Sequence, residues 1–203
     1  MTIEEIYKKR TQVRKFDLEK YPDKETVDQL IHLTFDLVPS KQNLMPYTVN
    51  VLGPDQSNEQ TKETLYQLSQ HSGTIANTNC FAPYVIVFSS RLCIPNTVVA
   101  DAINKGMPFE SCNFHSYQDP SALRRANIEV GMFATILTGL CMEKNIQVSY
   151  LLCYPAQKEE WYPLTFLDKE VPLFVMTIGY ESLLHKRGKV EDKPMPDEVI
   201  KWI

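Results

Sequence analysis

The stretch Val38-Pro39-Ser40-Lys41-Gln42-Asn43-Leu44-Met45-Pro46-Tyr47 carries the most specific pattern in the chain. Two prolines bracket it, and the helical periodicity before it must stop ahead of Pro39, because proline disfavours helical backbone in the residue that precedes it. Thr48 to Leu52 then alternates as a strand does, with Val49 and Val51 on one face. The sequence therefore predicts a fixed polar loop between a helix and a strand.

Upstream of this loop, the spacing of apolar residues predicts two amphipathic helices. Thr2 and Glu5 form a capping box, and the first helix should run to about Arg10. Asp23 follows a proline and should begin the second helix, which ends at the loop. Arg10 should therefore lie at the end of the first helix, where the connecting segment begins.

Downstream, Ser57 and Gln60 form a second capping box that predicts a helix to about Gln70. Residues 84–88 are a continuous apolar run, which is typical of a strand covered on both faces. The other predicted elements are a short helix near 98–105, a long helix from Asp119-Pro120 to about Lys144, strands at 146–153 and 171–180, and a short final helix or arm at 197–203. We interpret residues 89–118 as a lid or substrate wall, and residues 1–203 as one domain that ends in a basic segment and arm at 181–203.

Composition excludes several classes of protein. The chain has 203 residues, of which 43% are hydrophobic and 23% charged, as in an ordinary globular domain. Its net charge of −4 argues against general nucleic-acid binding. The longest mostly apolar segment, at 132–142, is well short of the roughly 20 residues that cross a bilayer. Five cysteines without a C-x-x-C pair, and no signal-peptide pattern, lead us to expect a cytoplasmic protein.

Positive charge is concentrated near the two ends of this acidic chain. The N-terminal basic cluster is Lys8, Lys9, Arg10, Arg14 and Lys15, and the C-terminal basic cluster is Lys186, Arg187, Lys189 and Lys193. Arginine offers a two-pronged donor to phosphate oxygens and lysine offers a point charge, so the two clusters could converge on a phosphate group. The alternative is that both are solvated surfaces.

Common catalytic and nucleotide-binding motifs are missing. The sequence contains no G-x-G-x-x-G, no G-x-x-x-x-G-K-[ST] and no H-E-x-x-H, which disfavours a Rossmann site, a P-loop and a zinc protease. The four histidines have no metal-ligand spacing, so we predict no metal site. Cys112 and His115 lie close in sequence, and a cysteine hydrolase stays an alternative that requires them to meet in space.

Two motifs together resemble the nitroreductase family of FMN flavoproteins. The segment Arg10-Thr11-Gln12-Val13-Arg14-Lys15-Phe16 is similar to the family's R-x-S-x-R-x-F, and the loop at 38–47 is similar to its A-P-S-x-x-N-x-Q-P-W. Later landmarks follow in order: Ala82-Pro83, Ile128-Glu129-Val130-Gly131, Thr177-Ile178-Gly179-Tyr180 and residues 193–199. The resemblance spans nearly the whole chain.

The resemblance implies a fold, a cofactor and an activity. We expect the α+β nitroreductase-like fold, with a mixed, mainly antiparallel sheet flanked by helices, in a homodimer with domain-swapped arms. We expect FMN to pass hydride from NAD(P)H to a small electron-poor acceptor, such as a nitroaromatic or a quinone, by a ping-pong mechanism. No catalytic side chain is then required, because the protein mainly orients the reactants.

The resemblance also implies roles for individual residues. Arg14 should lie near the N1/O2 edge of the flavin, Arg10 and the C-terminal basic cluster should bind the phosphate, and Ser40 and Asn43 should bind the polar edge of the ring or the ribityl chain. Pro39 to Asn43 would come from the neighbouring subunit. The predicted cofactor-binding set is Arg10, Thr11, Gln12, Arg14, Pro39, Ser40, Lys41, Asn43, Arg187, Lys189 and Lys193.

Three positions depart from the family pattern. Gln12 stands where serine or threonine is common, Lys41 occupies a usually small position, and Leu152-Cys153 replaces a turn that often contains glycine. These departures motivate an alternative from another class, a non-catalytic FMN-binding or interaction protein of the same fold. Bound flavin without steady NAD(P)H oxidation would favour that alternative.

Overall fold

A computed structural model of the chain describes residues 2–70, 77–91, 97–107, 120–154, 158–167, 170–185 and 193–201. The helices are α1 (Ile3–Lys9), α2 (Lys24–Leu37), α3 (Glu59–Ser69), α4 (Thr97–Asn104), α5 (Pro120–Glu143) and α6 (Pro196–Val199). The strands are β1 (Tyr47–Leu52), β2 (Tyr84–Ser90), β3 (Gln147–Leu151) and β4 (Pro172–Gly179). Short 3-10 turns occupy Lys41–Asn43, Gln56–Asn58, Thr78–Phe81, Lys158–Trp161 and Thr165–Leu167.

The four strands form one sheet in the order β1-β2-β4-β3. Every pairing between them is antiparallel, with Tyr84 opposite Ile178 at the centre and Gln147 opposite Gly179 on the β3 side. The described residues therefore show the mainly antiparallel sheet that was predicted, and they contain no parallel pairing. β2 and β4 are the inner strands. β4, although last in the chain order of the four strands, therefore lies between β2 and β3.

Helices α2 and α5 pack on one face of the sheet. Phe133 of α5 lies against Phe88 of β2 and Tyr47 of β1, with ring centroids 5.5 and 5.9 Å apart in edge-to-face geometry. Val27 and Leu30 of α2 are buried in the same cluster. α1 packs in turn on α5.

The opposite face is covered by α3, by 3-10 turns and by the segment that follows α1. Leu65 of α3 and Val13 and Phe16 of that segment are buried against Val85 and Val87 of β2. Since alternate residues of β2 point to opposite faces and all of its positions are buried, the prediction of a strand covered on both faces is confirmed.

Local sequence signals located most element starts. The Thr2–Glu5 capping box forms, and Asp23 caps α2 by accepting a hydrogen bond from the Thr26 N–H at 2.7 Å. The predicted Ser57–Gln60 capping box is wrong. Residues 56–58 form a 3-10 turn whose last residue, Asn58, already has helical backbone, whereas a capping residue needs extended backbone.

The long helix begins at Pro120 as predicted, and its proposed cap, Asp119, lies outside the described residues. Of the lid interpreted at 89–118, the structure describes only 89–91 and 97–107, which include the predicted short helix as α4. In the described ranges, no helix combines the length and the apolar character needed to cross a membrane.

Candidate functional site

The end of α1 presents polar atoms that the chain itself leaves unpaired. Arg10 caps the helix, and its guanidinium carbon lies 5.2 Å from the centre of the Tyr150 ring. Its Nη1 atom is buried and has no hydrogen-bond partner among the described residues, and the buried Thr11 Oγ1 has none there either. Two adjacent residues thus hold unsatisfied polar atoms beside β3, an arrangement suited to an anion with several oxygens.

Gln12, next along the chain, is bonded at both ends of its amide. Its Nε2 donates to the Tyr150 carbonyl at 2.6 Å, and its Oε1 accepts from the Tyr150 N–H at 3.3 Å. β3 is an outer strand, so this side chain supplies the pairing that a neighbouring strand would otherwise give. One N–H and one lone pair of the amide are therefore used by the chain, and the second of each is left over.

The Tyr150 ring is itself held firmly. Its hydroxyl shares a short hydrogen bond with Thr138 Oγ1, and the Thr138 hydroxyl donates to the Ala134 carbonyl at 2.6 Å. One turn earlier on α5, the Thr135 carbonyl accepts from the Tyr7 hydroxyl at 2.6 Å. Burial raises the pKa of Tyr7, and nearby Tyr150 raises it further while Arg10 opposes the rise.

Arg14 differs from Arg10 in its surroundings. It lies between the buried Val13 and Phe16, yet its side chain is exposed. Its carbonyl accepts a hydrogen bond from the Thr78 hydroxyl at 2.9 Å, which fixes the backbone at this point. The charge of Arg14 is therefore carried on an anchored segment and points to the outside of the chain.

The C-terminal basic cluster lies mostly outside the described residues, including Arg187 and Lys189. Lys193 is described and exposed. Convergence of the two basic clusters on one group thus stays a prediction.

The loop between α2 and β1 is tied at several points. Ser40 Oγ accepts from the Met45 N–H at 2.9 Å, and the Lys41 N–H donates to Glu129 Oε1 of α5 at 3.0 Å. Asn43 and Met45 have positive φ angles of 54° and 47°. Asparagine tolerates this left-handed conformation better than most residues, so Asn43 suits the turn. Pro39, Lys41 and Asn43 are exposed.

Two residues without a predicted role hold this loop. Arg91, directly after β2, donates from its guanidinium to the Leu44 and Met45 carbonyls at 3.0 and 3.2 Å. Glu129 is only 6% exposed, and its Oε2 has no hydrogen-bond partner in the part of the chain that the structure describes. Burial, and then the nearby Glu129, raise the pKa of Tyr47 far above its usual range. The sequence signal for Glu129 was its place in the landmark Ile128-Glu129-Val130-Gly131, which assigned the carboxylate no role.

The two parts of the predicted site lie apart within one chain. The loop is anchored at Glu129, whereas the Arg10 and Tyr150 group is anchored at Thr138. These anchors are nine residues apart on α5, which corresponds to about 13 Å along a helix. Among the described residues no hydrogen bond joins Ser40 or Asn43 to Arg10.

The described cysteines are free thiols. Cys80 and Cys141 are buried and Cys153 is exposed. Burial raises the pKa of Cys80 and raises that of Cys141 to about 12, which disfavours both as nucleophiles. Cys112 and His115 lie outside the described residues, so the hydrolase alternative is untested there. Within the described ranges, no group of His, Cys, Asp and Glu side chains could hold a metal ion.

Neither a family model nor a curated protein sequence matches this chain. Several solved structures, in contrast, match this chain. A provisionally named nitroreductase from Exiguobacterium sibiricum, in complex with FMN, aligns with a TM-score of 0.70 and 19% identity, over 100% of this chain and 98% of its own. The chain has the nitroreductase fold.

Two further structures with the nitroreductase fold align over the whole chain. A nitroreductase family protein from Streptococcus pneumoniae TIGR4 aligns with a TM-score of 0.66 and 19% identity, over 100% of both chains. A provisionally named NAD(P)H:FMN oxidoreductase from Staphylococcus epidermidis aligns with a TM-score of 0.72 and 14% identity, over 100% of this chain and 96% of its own. The expected α+β nitroreductase-like fold is therefore confirmed.

Proposed function

We propose that this protein is an FMN-dependent oxidoreductase that passes hydride from NAD(P)H to a small electron-poor acceptor, a nitroaromatic or a quinone, by a ping-pong mechanism. The observation that carries the proposal is the pair of buried, unpartnered polar atoms, Arg10 Nη1 and Thr11 Oγ1, in a chain with the nitroreductase fold. The whole chain, residues 1–203, would form one FMN-binding domain in a cytoplasmic setting.

The residues at the end of α1 fit the phosphate of FMN. A phosphate monoester carries several acceptor oxygens, and the Arg10 fork with the Thr11 hydroxyl supplies charge-assisted donors for them. Lys193, with Arg187 and Lys189, would add positive charge from the C-terminal segment. Gln12 stays in the proposed cofactor-binding set, because its bonds to Tyr150 use only one amide proton and one lone pair of the amide oxygen.

The loop residues suit the ring or the ribityl chain. The Ser40 oxygen accepts from the Met45 N–H, so its own proton stays available to donate to a ligand. Pro39, Lys41 and Asn43 are exposed beside it. When bound, FMN supplies the hydride-transfer chemistry at its N5 atom. Arg14 would stabilise the negative charge that reduction leaves at the N1/O2 edge, and the protein otherwise orients the reactants.

We infer that two copies of the chain build each site. The separation of about 13 Å along α5 between the two anchors supports a loop donated by the neighbouring subunit. α5 also leaves Ile128 and Met132 49% and 42% exposed, as expected if a second copy covers this side of the helix. The homodimer with domain-swapped arms is part of the proposal.

The visible spectrum of the purified protein tests the cofactor. We expect about one FMN per chain, or stoichiometric uptake of added FMN, and a colourless preparation that takes up none would overturn the proposal. Steady-state oxidation of NADH and NADPH with a nitroaromatic and a quinone tests the activity, and ping-pong turnover should give parallel double-reciprocal lines. Tight FMN binding without turnover would instead favour the non-catalytic alternative that the exposed Leu152 and the other departures motivate.

A further inference from the structure

The charge of Arg10 is held in place without a carboxylate. The ion pairs among the described residues are Lys8–Glu4, His32–Asp28 and His185–Glu181, and none of them involves Arg10. Its guanidinium lies instead over the Tyr150 ring, within the roughly 6 Å at which a cation and an aromatic face attract each other. A carboxylate would fix the side chain equally well but would neutralise it.

The aromatic support is rigid. Thr138 has one hydroxyl proton, and it is donated to the Ala134 carbonyl, so the Tyr150 hydroxyl is the donor in the hydrogen bond between the two side chains. Phe174 of β4 packs against the Tyr150 ring at 5.4 Å. The ring therefore cannot turn away without breaking contacts to α5 and to the sheet.

Gln12 fixes the segment that carries Arg10. Its amide bonds both backbone groups of Tyr150, the same residue whose ring supports the guanidinium. A serine or threonine hydroxyl at position 12 would end two bonds closer to the backbone than the glutamine amide does. Glutamine, the departure from the family pattern at this position, thus makes a double contact with β3 within the chain.

We propose that Tyr150 and Gln12 are positioning residues that hold the Arg10 guanidinium in a preset orientation and leave its Nη1 free for a phosphate monoester. The inference rests on the proposed function, in which that phosphate belongs to FMN. Preorganisation matters because an arginine that is already ordered loses less side-chain freedom when it binds.

The ratio of the dissociation constants for riboflavin and FMN tests this inference, because riboflavin lacks only the phosphate. Tyr150→Leu removes the aromatic face, and Gln12→Leu removes the clamp on β3. Each should lower the ratio about tenfold by weakening FMN binding with little change for riboflavin, whereas Tyr150→Phe should stay within about threefold of the parent. A purely structural role would weaken both ligands together.

Tyr66→Leu is the matched control. Tyr66 is also half-buried and contacts another ring, that of Phe81 at 5.0 Å, but it lies on α3 across the sheet. We expect this variant to leave the ratio unchanged. An unchanged ratio in Tyr150→Leu and Gln12→Leu, with normal FMN uptake by the parent, would overturn the inference while the proposed function stands.

A second measurement keeps the inference testable if the parent protein binds no FMN, which would end the proposed function. Inorganic phosphate should then still raise the melting temperature of the parent above that in chloride of equal ionic strength. Tyr150→Leu should lose this rise and Tyr66→Leu should keep it. No phosphate effect in the parent, or an equal effect in Tyr150→Leu, would overturn the inference.

Discussion

Two basic side chains of the described structure, one at the end of α1 and one on α3, hold buried nitrogen atoms in different surroundings. Lys62 of α3 is 7% exposed, and its Nζ donates to the Ala82 and Pro83 carbonyls at 2.8 and 2.9 Å. Arg10 at the end of α1 lies over an aromatic ring, and within the described ranges its buried Nη1 donates to no acceptor. One charge is satisfied by the backbone and the other is not.

The difference separates a structural cation from one kept for a ligand. A buried donor without a partner costs about 1–3 kcal/mol of folding free energy. When a ligand accepts a hydrogen bond from such a donor, this cost is removed, and its removal adds to the free energy of binding. Lys62 instead uses two of its three ammonium protons to hold the two carbonyls just before β2, and its Nζ is not among the buried atoms without a partner.

Replacing Arg10 should produce the largest change. In Arg10→Met we expect FMN affinity to fall about 100-fold, since charge-assisted hydrogen bonds to phosphate contribute roughly 1.5–3 kcal/mol. The free energy of unfolding without ligand should rise by about 1 kcal/mol, because removing the unpartnered donor, which costs about 1–3 kcal/mol, outweighs the lost attraction to the Tyr150 ring of roughly 0.5–1 kcal/mol. Fluorescence titration and urea unfolding measure the two quantities. Equal FMN affinity in parent and variant would erase the contrast with Lys62.

Replacing Lys62 should give the reverse result. Lys62→Met keeps the side-chain length but leaves two buried carbonyls unpaired, so the free energy of unfolding should fall by about 2 kcal/mol. FMN affinity should be unchanged. Gln67→Met, at an exposed position of the same helix, is the control and should cost less than about 0.5 kcal/mol. A Lys62→Met protein as stable as this control would show that the lysine does not secure the entry to β2.

Lys62 should also make the free energy of unfolding depend on pH. Burial lowers its pKa from 10.5 to about 8, against the opposing effects of Asp55 and Glu59. Between these two values the unfolded chain binds more protons than the folded one, so stability should rise with pH from about 8 to 10.5. The slope should be at most about 1.4 kcal/mol per pH unit. Urea unfolding of the parent and of Lys62→Met at several pH values in this range measures the slope. The rise in the free energy of unfolding with pH that Lys62 causes should be absent in the variant.

Replacing Arg14 should have the smallest effect, and this effect should fall mainly on the redox potential of bound FMN. It is exposed, so it belongs to neither class of buried cation. If its charge faces the N1/O2 edge, Arg14→Met should lower the midpoint potential of bound FMN by tens of millivolts, as about 30 mV corresponds to 1.4 kcal/mol for a two-electron couple. FMN affinity should fall less than in Arg10→Met. Spectroelectrochemistry measures the shift, with the adjacent exposed Lys15→Met as control; a larger shift in Arg10→Met would reverse the two assignments.

Sequence patterns predicted what depends on neighbouring residues. The Thr2 cap, the start of α2 at Asp23, and the loop between Pro39 and Pro46 follow from contacts within a few positions. The continuous apolar run of β2 also predicted a strand covered on both faces, because burial on two sides excludes polar side chains.

The contacts that position the candidate site could not be found in this way, because they join distant parts of the chain. Gln12 meets Tyr150 at a separation of 138 residues, and Lys41 meets Glu129 at 88. In the sequence, Lys62 cannot be distinguished from a solvent-exposed lysine on an amphipathic helix. Only the folded chain places the carbonyls of Ala82 and Pro83 within hydrogen-bond distance of its Nζ. Partners of this kind depend on the tertiary structure.

The position of β4 inside the sheet has a consequence for how the protein is made. Tyr84 of β2 pairs with Ile178, which is synthesised about 90 residues later. At translation speeds of roughly 5–20 residues per second, one edge of β2 waits some 5–20 s for its partner. Throughout that interval a strand whose first five residues are apolar carries an unpaired edge, which is the kind of surface that recruits chaperones or pairs with another nascent chain. Slowing synthesis between β2 and β4 should therefore lower the yield of folded protein more than slowing it before β2.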